Sequence, residues 1–335
     1  MRIKGLDGIR AICAFVLLWG HLTQEEFATW IDSNASIRMY LPACCAYVFF
    51  VISGFLAGYK QSNEDSILTY YKKKAKRILP LYYLYVIIVI GAFAFIGRIN
   101  EVLNDSFWWY LFLMPNVPFC GFFAPVLPLV HLWFIGSLLL FYLTFPIVKK
   151  FCGEKLLNAS VIIAIVWALT KWMIYWFIGK ETFIYRLWGT AGLDCMFAGV
   201  ALGILVRKKN KLINIISKSN LLSVLTWLLF IMSGLYGMLI PSPVRVEYIA
   251  ILACVLIISQ LSENPIINLD NKVFDWLGSI SYEIYVIQIL IIILLSELYM
   301  SCSLCLPAVL IYAIVTIVVI FFSWGIHWLL GKIVR

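Results

Sequence analysis

The 335-residue sequence has little charge: 13% of its residues are Asp, Glu, Lys or Arg, against about 25% in a soluble domain. Apolar residues make up 63%, and they are spread along the whole chain. Low-complexity linkers and internal repeats are also missing, and the longest polar gaps are shorter than a domain. These scarcities exclude a soluble globular fold, and they predict one integral membrane domain over residues 1–335.

Histidine is scarce too, with three in the chain: His21, His131 and His327. The nine cysteines form no zinc pattern. Cys302 and Cys305 have a CxxC spacing, but no second pair and no histidine accompanies them, so no metal is expected. Small apolar side chains in helices are one interpretation of the cysteines, and an outer disulfide is the alternative. The candidates for that disulfide are Cys44, Cys45, Cys120, Cys302 and Cys305.

Ten apolar segments have about the length that crosses the hydrocarbon, which is roughly 20 residues. They are Gly8–Thr23, Tyr40–Tyr59, Ile78–Gly97, His131–Val148, Leu156–Ile178, Trp188–Val206, Leu221–Ile240, Val246–Leu261, Ile280–Tyr299 and Leu306–Leu330. Phe107–Met114 is too short, and an interfacial or re-entrant segment is expected there, with a true span as the alternative. The expected fold is therefore an all-α, polytopic transmembrane helix bundle of about ten spans.

The distribution of Lys and Arg predicts the orientation of this bundle, because positive charge accumulates in cytoplasmic loops. With ten spans, nineteen cations lie on the side of the two termini and five on the opposite side. Both termini are therefore expected in the cytoplasm, and the protein is expected in the cytoplasmic (inner) membrane. The same bias accounts for most of the net charge of +9, so nucleic-acid binding is not needed to explain it.

The first span carries the most informative ionisable residues, Arg10 and His21, one at each end of an apolar run. Ionisable groups within membrane helices are costly and commonly functional. Eleven residues turn an α-helix through about three revolutions, so Arg10 and His21 project from nearly the same face. Asp7 lies three residues before Arg10, within side-chain reach. One stripe of this helix is therefore a candidate site.

A basic run, Lys72–Arg77, follows in the predicted cytoplasmic loop before the third span. It is consistent with a topology signal that contacts anionic lipid, and equally with a binding site for a phosphorylated ligand. Ser53 and Gly54 lie in an aromatic-rich second span, where small residues also allow close helix packing.

Three further residues are weaker candidates. His131 lies beside Trp133 at the predicted outer interface, where an anchoring role is the alternative to a functional one. Asp194 and Glu283 lie within predicted spans, where carboxylates face the protein interior or a cavity.

Five sequence segments together resemble the acyltransferase 3 family of integral membrane acyltransferases. In chain order they read GLDGIRA with Arg10 and His21, FFVISGF, the basic run into RILPLYY, HLWF, and LGSISYEIY. The set covers nearly the entire chain. The positions that match family motifs are Arg10 and His21 in the first span, Ser53 and Gly54 in the second, and Lys73, Lys76 and Arg77 in the basic run.

The resemblance implies an enzyme that moves an acyl group, usually acetyl, from cytoplasmic acyl-coenzyme A. The implied acceptors are sugar hydroxyls of cell-surface glycans or of their lipid-linked precursors, and no permanently bound cofactor is implied. Two positions depart from the common family pattern. Leu138-Leu139-Leu140 stands where many members have an acidic-acidic-glutamine run, and Gln288 stands where many have a histidine. Because of these departures, the resemblance predicts the acceptor less closely than it predicts the acyl-transfer reaction.

A mechanism consistent with this reading has Arg10 and the basic run binding the donor phosphates while His21 acts as general base. Direct transfer needs no nucleophilic side chain, and an acyl-histidine intermediate is the alternative. A transporter or flippase of a glycan intermediate would also use intramembrane charges, although two similar halves, common in transporters, are not apparent. A structural subunit of a glycan-assembly complex is the third possibility. Oligomeric state is not predicted.

Overall fold

A computed structural model describes residues 3, 5–22, 41–60, 66–236, 242–302 and 306–333. Over these residues the chain is helical and contains no strand. The all-α prediction is therefore confirmed. Among the described residues no group of side chains is arranged to hold a metal ion. The described cysteines are all free, while Cys305 lies outside the described residues.

The helices are numbered in chain order. They are α1 Leu6–Leu22, α2 Leu41–Tyr59, α3 Ile67–Phe95, α4 Phe107–Leu111, α5 Asn116–Phe119, α6 Trp133–Cys152, α7 Leu156–Phe177, α8 Phe183–Ala191, α9 Leu193–Arg207, α10 Lys211–Ser217, α11 Asn220–Tyr236, α12 Arg245–Ser259, α13 Lys272–Ser279, α14 Ser281–Ser301 and α15 Ala308–Ile333. Short 3-10 turns occupy Ile99–Glu101, Leu127–Leu132, Gly153–Lys155 and Ser242–Val244.

Every predicted span overlaps a long helix or, in one case, two consecutive helices. Within the described residues, five helical stretches could cross a membrane by length and composition, or six if Lys211–Ser217 and Asn220–Gly234, bent by 74°, form one span. One stretch, Leu127–Phe177, contains α6 and α7, which meet at a turn where Gly153 has φ +50°. The total of ten spans and the cytoplasmic termini stay predictions.

The basic run belongs to a helix, so the prediction of a loop there is wrong. Helix α3 begins at Ile67, eleven residues before the predicted span, and its first turn is capped by Ser66, whose Oγ accepts from Thr69 N at 3.1 Å. A serine cap satisfies a backbone N–H that the first turn leaves free. The cations of Lys72–Arg77 are therefore displayed at helical spacing.

The predicted sixth span is broken into α8 and α9. Gly192 lies at the break with φ +61°, a left-handed conformation that glycine adopts without steric cost. Immediately after it, Asp194 accepts a hydrogen bond from Lys171 Nζ of α7 at 3.0 Å, and Lys171 also contacts Glu247 of α12. This buried ionic triad ties three helices together next to the break.

Helices α2 and α9 pack closely because each presents two glycines spaced four residues apart. A Cβ on Gly54 would lie 1.8 Å from the Met196 carbonyl oxygen, and one on Gly199 would lie 2.1 Å from the Val51 oxygen. Gly58 and Gly203 repeat this arrangement one turn further along. Backbones approach so closely only where small residues leave room.

The segment between α3 and α6 folds back along α3. Tyr82 and Tyr83 donate hydrogen bonds to the carbonyl oxygens of Tyr110 and Leu111 at 2.7 and 3.1 Å. Tyr85 donates to the Pro128 carbonyl oxygen at 2.7 Å. These tyrosines lie well before the end of α3, and α4 has five residues. Phe107–Leu111 is thus a short helix beside the middle of α3 and is too short to be a span.

Candidate functional site: a cationic cavity and a histidine pair

Five helices line a cavity that encloses ≈ 740 Å³, including the part open to its surroundings. Helix α1 contributes Arg10, and α3 contributes Lys74 and Arg77. The remaining lining residues are Phe49, Ser53 and Leu56 of α2, Ile78 of α3, Phe134, Leu138 and Tyr142 of α6, and Ser281, Tyr282 and Tyr285 of α14. The cavity therefore combines three cations with hydroxyl groups and aromatic rings, and among the described residues no carboxylate lines it.

Arg10 is oriented by its own helix. Its Nη1 donates to Asp7 Oδ1 at 3.2 Å, which confirms the contact expected from their spacing. The pair is only partly buried, with side-chain exposures of 17% for Arg10 and 26% for Asp7. Asp7 therefore holds one nitrogen of the guanidinium, which has further N–H donors, and Arg10 also lines the cavity.

The basic run places two cations in the cavity, Lys74 and Arg77, which are three residues apart and share a face of α3. Lys73 and Lys76 are exposed and do not line it. Donor binding by Lys73 and Lys76 stays a prediction. Lys74 was not singled out from the sequence, because a run of cations covers every face of a helix.

Tyr142 is a second cavity residue that sequence reasoning missed. Lys74 Nζ lies 4.0 Å from the centre of its ring, within the range of a cation–π contact. Its hydroxyl interacts with the Ser53 side chain. The signal in the sequence was faint: a tyrosine four residues after Leu138, on the same face of an apolar helix. Ser53, which the family motif predicts to bind the donor, also lines the cavity.

His21 lies outside the cavity lining, at the other end of α1. Its ring is packed edge-on against that of His131, with ring centres 6.4 Å apart. His131 is buried, and its Nε2 lies 2.9 Å from the Val286 carbonyl oxygen of α14. The structure thus brings together two histidines that are 110 positions apart in the chain.

Tyr285 connects the cavity with this pair. It lines the cavity, its hydroxyl donates to the His131 carbonyl oxygen, and the two rings are 5.4 Å apart. The inner end of the cationic cavity is therefore one side chain away from the histidines.

The remaining predicted candidates lie elsewhere. Gly54 is buried in the α2–α9 crossing and does not line the cavity, so a role of Gly54 in donor binding stays a prediction. Asp194 belongs to the ionic triad with Lys171. Glu283 is buried beside the cavity residue Tyr282, and its Oε1 pairs with His327 Nδ1 at 2.7 Å. Neither carboxylate lines the cavity.

Comparison with known proteins shows the family to which the chain belongs. The model of a family described as an acyltransferase domain, acyltransferase 3, matches residues 3–328. This chain belongs to the acyltransferase 3 family. The cationic cavity and the histidine pair lie inside the matched region, and the family is the one that the sequence motifs resemble.

Two curated relatives have similar sequences over part of the acyltransferase. The O-acetyltransferase OatA of Staphylococcus aureus is 26% identical over 205 residues, which are 55% of this chain and 31% of OatA. The acyltransferase MdmB of Streptomyces mycarofaciens is 24% identical over 160 residues, 44% of this chain and 39% of MdmB. The matches thus span between about a third and two fifths of each relative. No solved structure matches this acyltransferase.

Proposed function

We propose that this acyltransferase moves an acyl group, acetyl in the first instance, from cytoplasmic acyl-coenzyme A to a hydroxyl of a surface polysaccharide or its lipid-linked precursor. The observation that carries the proposal is the convergence of Arg10, Lys74 and Arg77 on one cavity, which no carboxylate of the described part of the chain lines. The relatives named as O-acetyltransferase and acyltransferase support the class of reaction.

The charge of the cavity favours a polyanionic ligand. Cations held close together repel one another, and Asp7 offsets only part of this repulsion. Phosphate oxygens would accept charge-assisted hydrogen bonds from Arg10, Lys74 and Arg77, together with Ser53 and Tyr142 hydroxyls. Coenzyme A carries several phosphates at one end and a thioester at the other, so its phosphate end fits this part of the cavity.

The position of His21 suits the opposite end of such a donor. Eleven residues separate it from Arg10 on α1, a rise of about 16 Å at 1.5 Å per residue. The cavity wall also contains the aromatic side chains Phe134 and Tyr285, and Tyr285 packs against His131, which in turn packs against His21. A ligand with a charged head and a long, thin, weakly polar arm would fit a site that combines cations, aromatic side chains and a histidine.

The chemistry assigned to His21 is general base catalysis. A neutral imidazole nitrogen takes the proton of the acceptor hydroxyl as the oxygen attacks the thioester carbonyl carbon. The carbon–sulfur bond then breaks, and the leaving thiolate takes the proton back from the imidazolium. The products are an O-acyl ester and the free thiol of coenzyme A, and His21 returns to its neutral form.

Thioester cleavage by the purified full-length chain tests this function. The chain in lipid nanodiscs is given acetyl-coenzyme A, and release of free thiol is measured with and without surface polysaccharide from the producing cells. We expect thiol release that polysaccharide accelerates and that His21→Ala and Arg10→Ala abolish or strongly reduce. A transporter or a structural subunit would consume no acetyl-coenzyme A, so absence of thiol release from folded protein would contradict the proposal.

The alternative of an acyl-histidine intermediate is distinguished in the same assay. Rapid quenching followed by mass analysis of the peptide that contains His21 detects a covalent acyl group if one forms. Direct transfer predicts an unmodified peptide throughout turnover.

A further inference from the structure

Tyr70, near the start of α3, has a hydroxyl that the protein encloses without bonding to it. The residue as a whole is half-buried, but its Oη is buried and has no hydrogen-bond partner among the described residues. A hydroxyl that loses water and gains no partner is destabilising. The helical spacing also places Tyr70 on the face of α3 that carries the cavity residues Lys74 and Arg77. An unpaired polar group of this kind beside a cavity indicates a ligand that completes it.

Aromatic side chains surround Tyr70. Its ring packs against Tyr142 and Phe145 of α6, with ring centres 6.4 and 6.1 Å apart. Tyr71, 6.1 Å from it, is fixed by its own hydrogen bond to the Leu143 carbonyl oxygen at 2.9 Å. Since Tyr142 lines the cationic cavity, this aromatic group continues the cavity wall.

Lys74 connects the aromatic group with the cavity that it also lines. Its Nζ lies 4.0 Å from the centre of the Tyr142 ring and 5.5 Å from that of Tyr70. A charge-assisted hydrogen bond to phosphate is stronger than a cation–π contact at a partly exposed site. A phosphorylated ligand would therefore draw Nζ away from the two rings and leave room for a flat group against them.

An anchoring role at the membrane interface does not account for Tyr70. Interfacial tyrosines place the ring in the apolar region and keep the hydroxyl among head groups and water. The Tyr70 hydroxyl is instead enclosed within the bundle. A nucleobase has the properties that this site lacks, because its face stacks on aromatic rings and its edge carries hydrogen-bond donors and acceptors.

We infer that Tyr70 and Tyr142 form the binding site for the adenine base of coenzyme A. The base stacks on the rings from which Lys74 withdraws, and the Tyr70 hydroxyl bonds to the polar edge of the base. Lys74 and Arg77 then hold the phosphates, which are one sugar away from the base. That this nucleotide is the acyl donor rests on the proposed function, whereas its binding requires no acyl transfer.

Equilibrium binding to the full chain in lipid nanodiscs tests the inference without turnover. Radiolabelled coenzyme A is the probe, and its two halves, adenosine 3′,5′-bisphosphate and 4′-phosphopantetheine, are the competitors. Tyr70→Leu removes the ring. We expect it to weaken competition by the adenosine half roughly 5-fold to 150-fold, the range for stacking of one base, and to leave competition by phosphopantetheine unchanged.

Tyr70→Phe separates binding from stability, because it removes a hydroxyl that has no partner to lose. Thermal unfolding should stay unchanged or shift upward, while the affinity for adenosine 3′,5′-bisphosphate falls roughly 2-fold to 10-fold. A tyrosine with a purely structural role would not lose affinity at full stability.

Tyr83→Phe is the matched control. Tyr83 is also a half-buried tyrosine of α3, but its hydroxyl donates to the Leu111 carbonyl oxygen at 3.1 Å, away from the cavity. The loss of this hydroxyl should lower the stability and leave the affinity for adenosine 3′,5′-bisphosphate unchanged.

The thiol-release assay is run on the same preparations. Equal weakening of both competitors by Tyr70→Leu, or unchanged affinity for adenosine 3′,5′-bisphosphate in both Tyr70 variants, overturns the inference, and continued thiol release would then leave the proposed function intact. Binding of the adenosine half that depends on Tyr70, in a chain that releases no thiol, would refute the proposed function and retain the base site. A folded chain that binds no coenzyme A would overturn both.

Discussion

The hydroxyl of Tyr285 donates a hydrogen bond to the carbonyl oxygen of His131, and the two rings are 5.4 Å apart. Tyr285 also lines the cationic cavity. One side chain therefore forms part of the cavity wall and fixes the turn that holds the second histidine.

Tyr285→Phe removes this hydroxyl and retains the ring. It leaves a buried carbonyl oxygen without its donor, so we expect a loss of about 1–3 kcal/mol in the free energy of unfolding. Tyr71→Phe is the control, because the Tyr71 hydroxyl makes its 2.9 Å bond to the Leu143 carbonyl oxygen at an exposed position. Denaturant unfolding in matched detergent compares the two, and equal losses would contradict the role assigned to Tyr285.

Alanine substitution of Lys74 or Arg77 should weaken donor binding. Each loses charge-assisted hydrogen bonds to phosphate worth about 1.5–3 kcal/mol, which corresponds to a rise of roughly 10-fold to 150-fold in KM for acetyl-coenzyme A. Lys72→Ala, an exposed cation on the same helix that does not line the cavity, should leave KM unchanged. Lys73→Ala and Lys76→Ala measure whether these two exposed cations, matched to the family motif, also contribute.

A donor without phosphates provides the complementary measurement. Acetyl-pantetheine retains the thioester arm of acetyl-coenzyme A but lacks its phosphates. It should therefore react with high KM, and Arg77→Ala should leave that KM nearly unaltered. A large effect of Arg77→Ala on both donors would show that Arg77 acts on the fold and not on the phosphates.

Gly54→Ala should destabilise the bundle without a specific effect on donor affinity. The added Cβ would lie 1.8 Å from the backbone oxygen of Met196, so α2 and α9 must move apart. Overpacking of this kind costs about 1–3 kcal/mol. Gly91→Ala on α3, where nothing lies within 4 Å of the new Cβ, is the matched control. Thermal unfolding and the KM of the folded fraction for acetyl-coenzyme A are measured for both variants. A change in KM without a change in thermal stability would contradict the packing role.

Lys171→Met should be among the most destabilising substitutions in the chain. It removes the cation that Asp194 and Glu247 share and leaves their carboxylates buried without a counter-charge, which costs about 3–5 kcal/mol. Replacing both carboxylates as well, with Asp194→Asn and Glu247→Gln, should restore much of the folded yield, measured by size-exclusion chromatography of the membrane extract. Failure of the triple variant to recover would indicate a role beyond charge balance.

Composition and local spacing were sufficient to predict several features. The all-α class follows from the apolar runs, and the Asp7–Arg10 contact follows from three residues of helical spacing. The assignment of Arg10 to a site with Arg77 came from family motifs that are short and local. Such features depend on residues close together in the chain, so they can be predicted directly from the order of the amino acids.

Other features required the packing of helices distant in the sequence. The cations of Lys72–Arg77 point around the whole circumference of a helix at 100° per residue, so their pattern alone has no preferred face. The packing of α3 in the bundle turns Lys74 and Arg77 into the cavity and leaves Lys73 and Lys76 outside. The same holds for His131 and Tyr142, each placed by a helix or turn far along the chain.

The amino-acid order alone was enough to predict the membrane-capable helices, a shared face for Arg10 and His21, and the family of the chain. The packing of the helices was needed to show that Gly54 lies against α9, that Asp194 pairs with Lys171, and that His21 packs against His131. The physical reason is the range of the forces involved. Helical periodicity acts over one or two turns, whereas the rotation of one helix against another is set by the side chains of both.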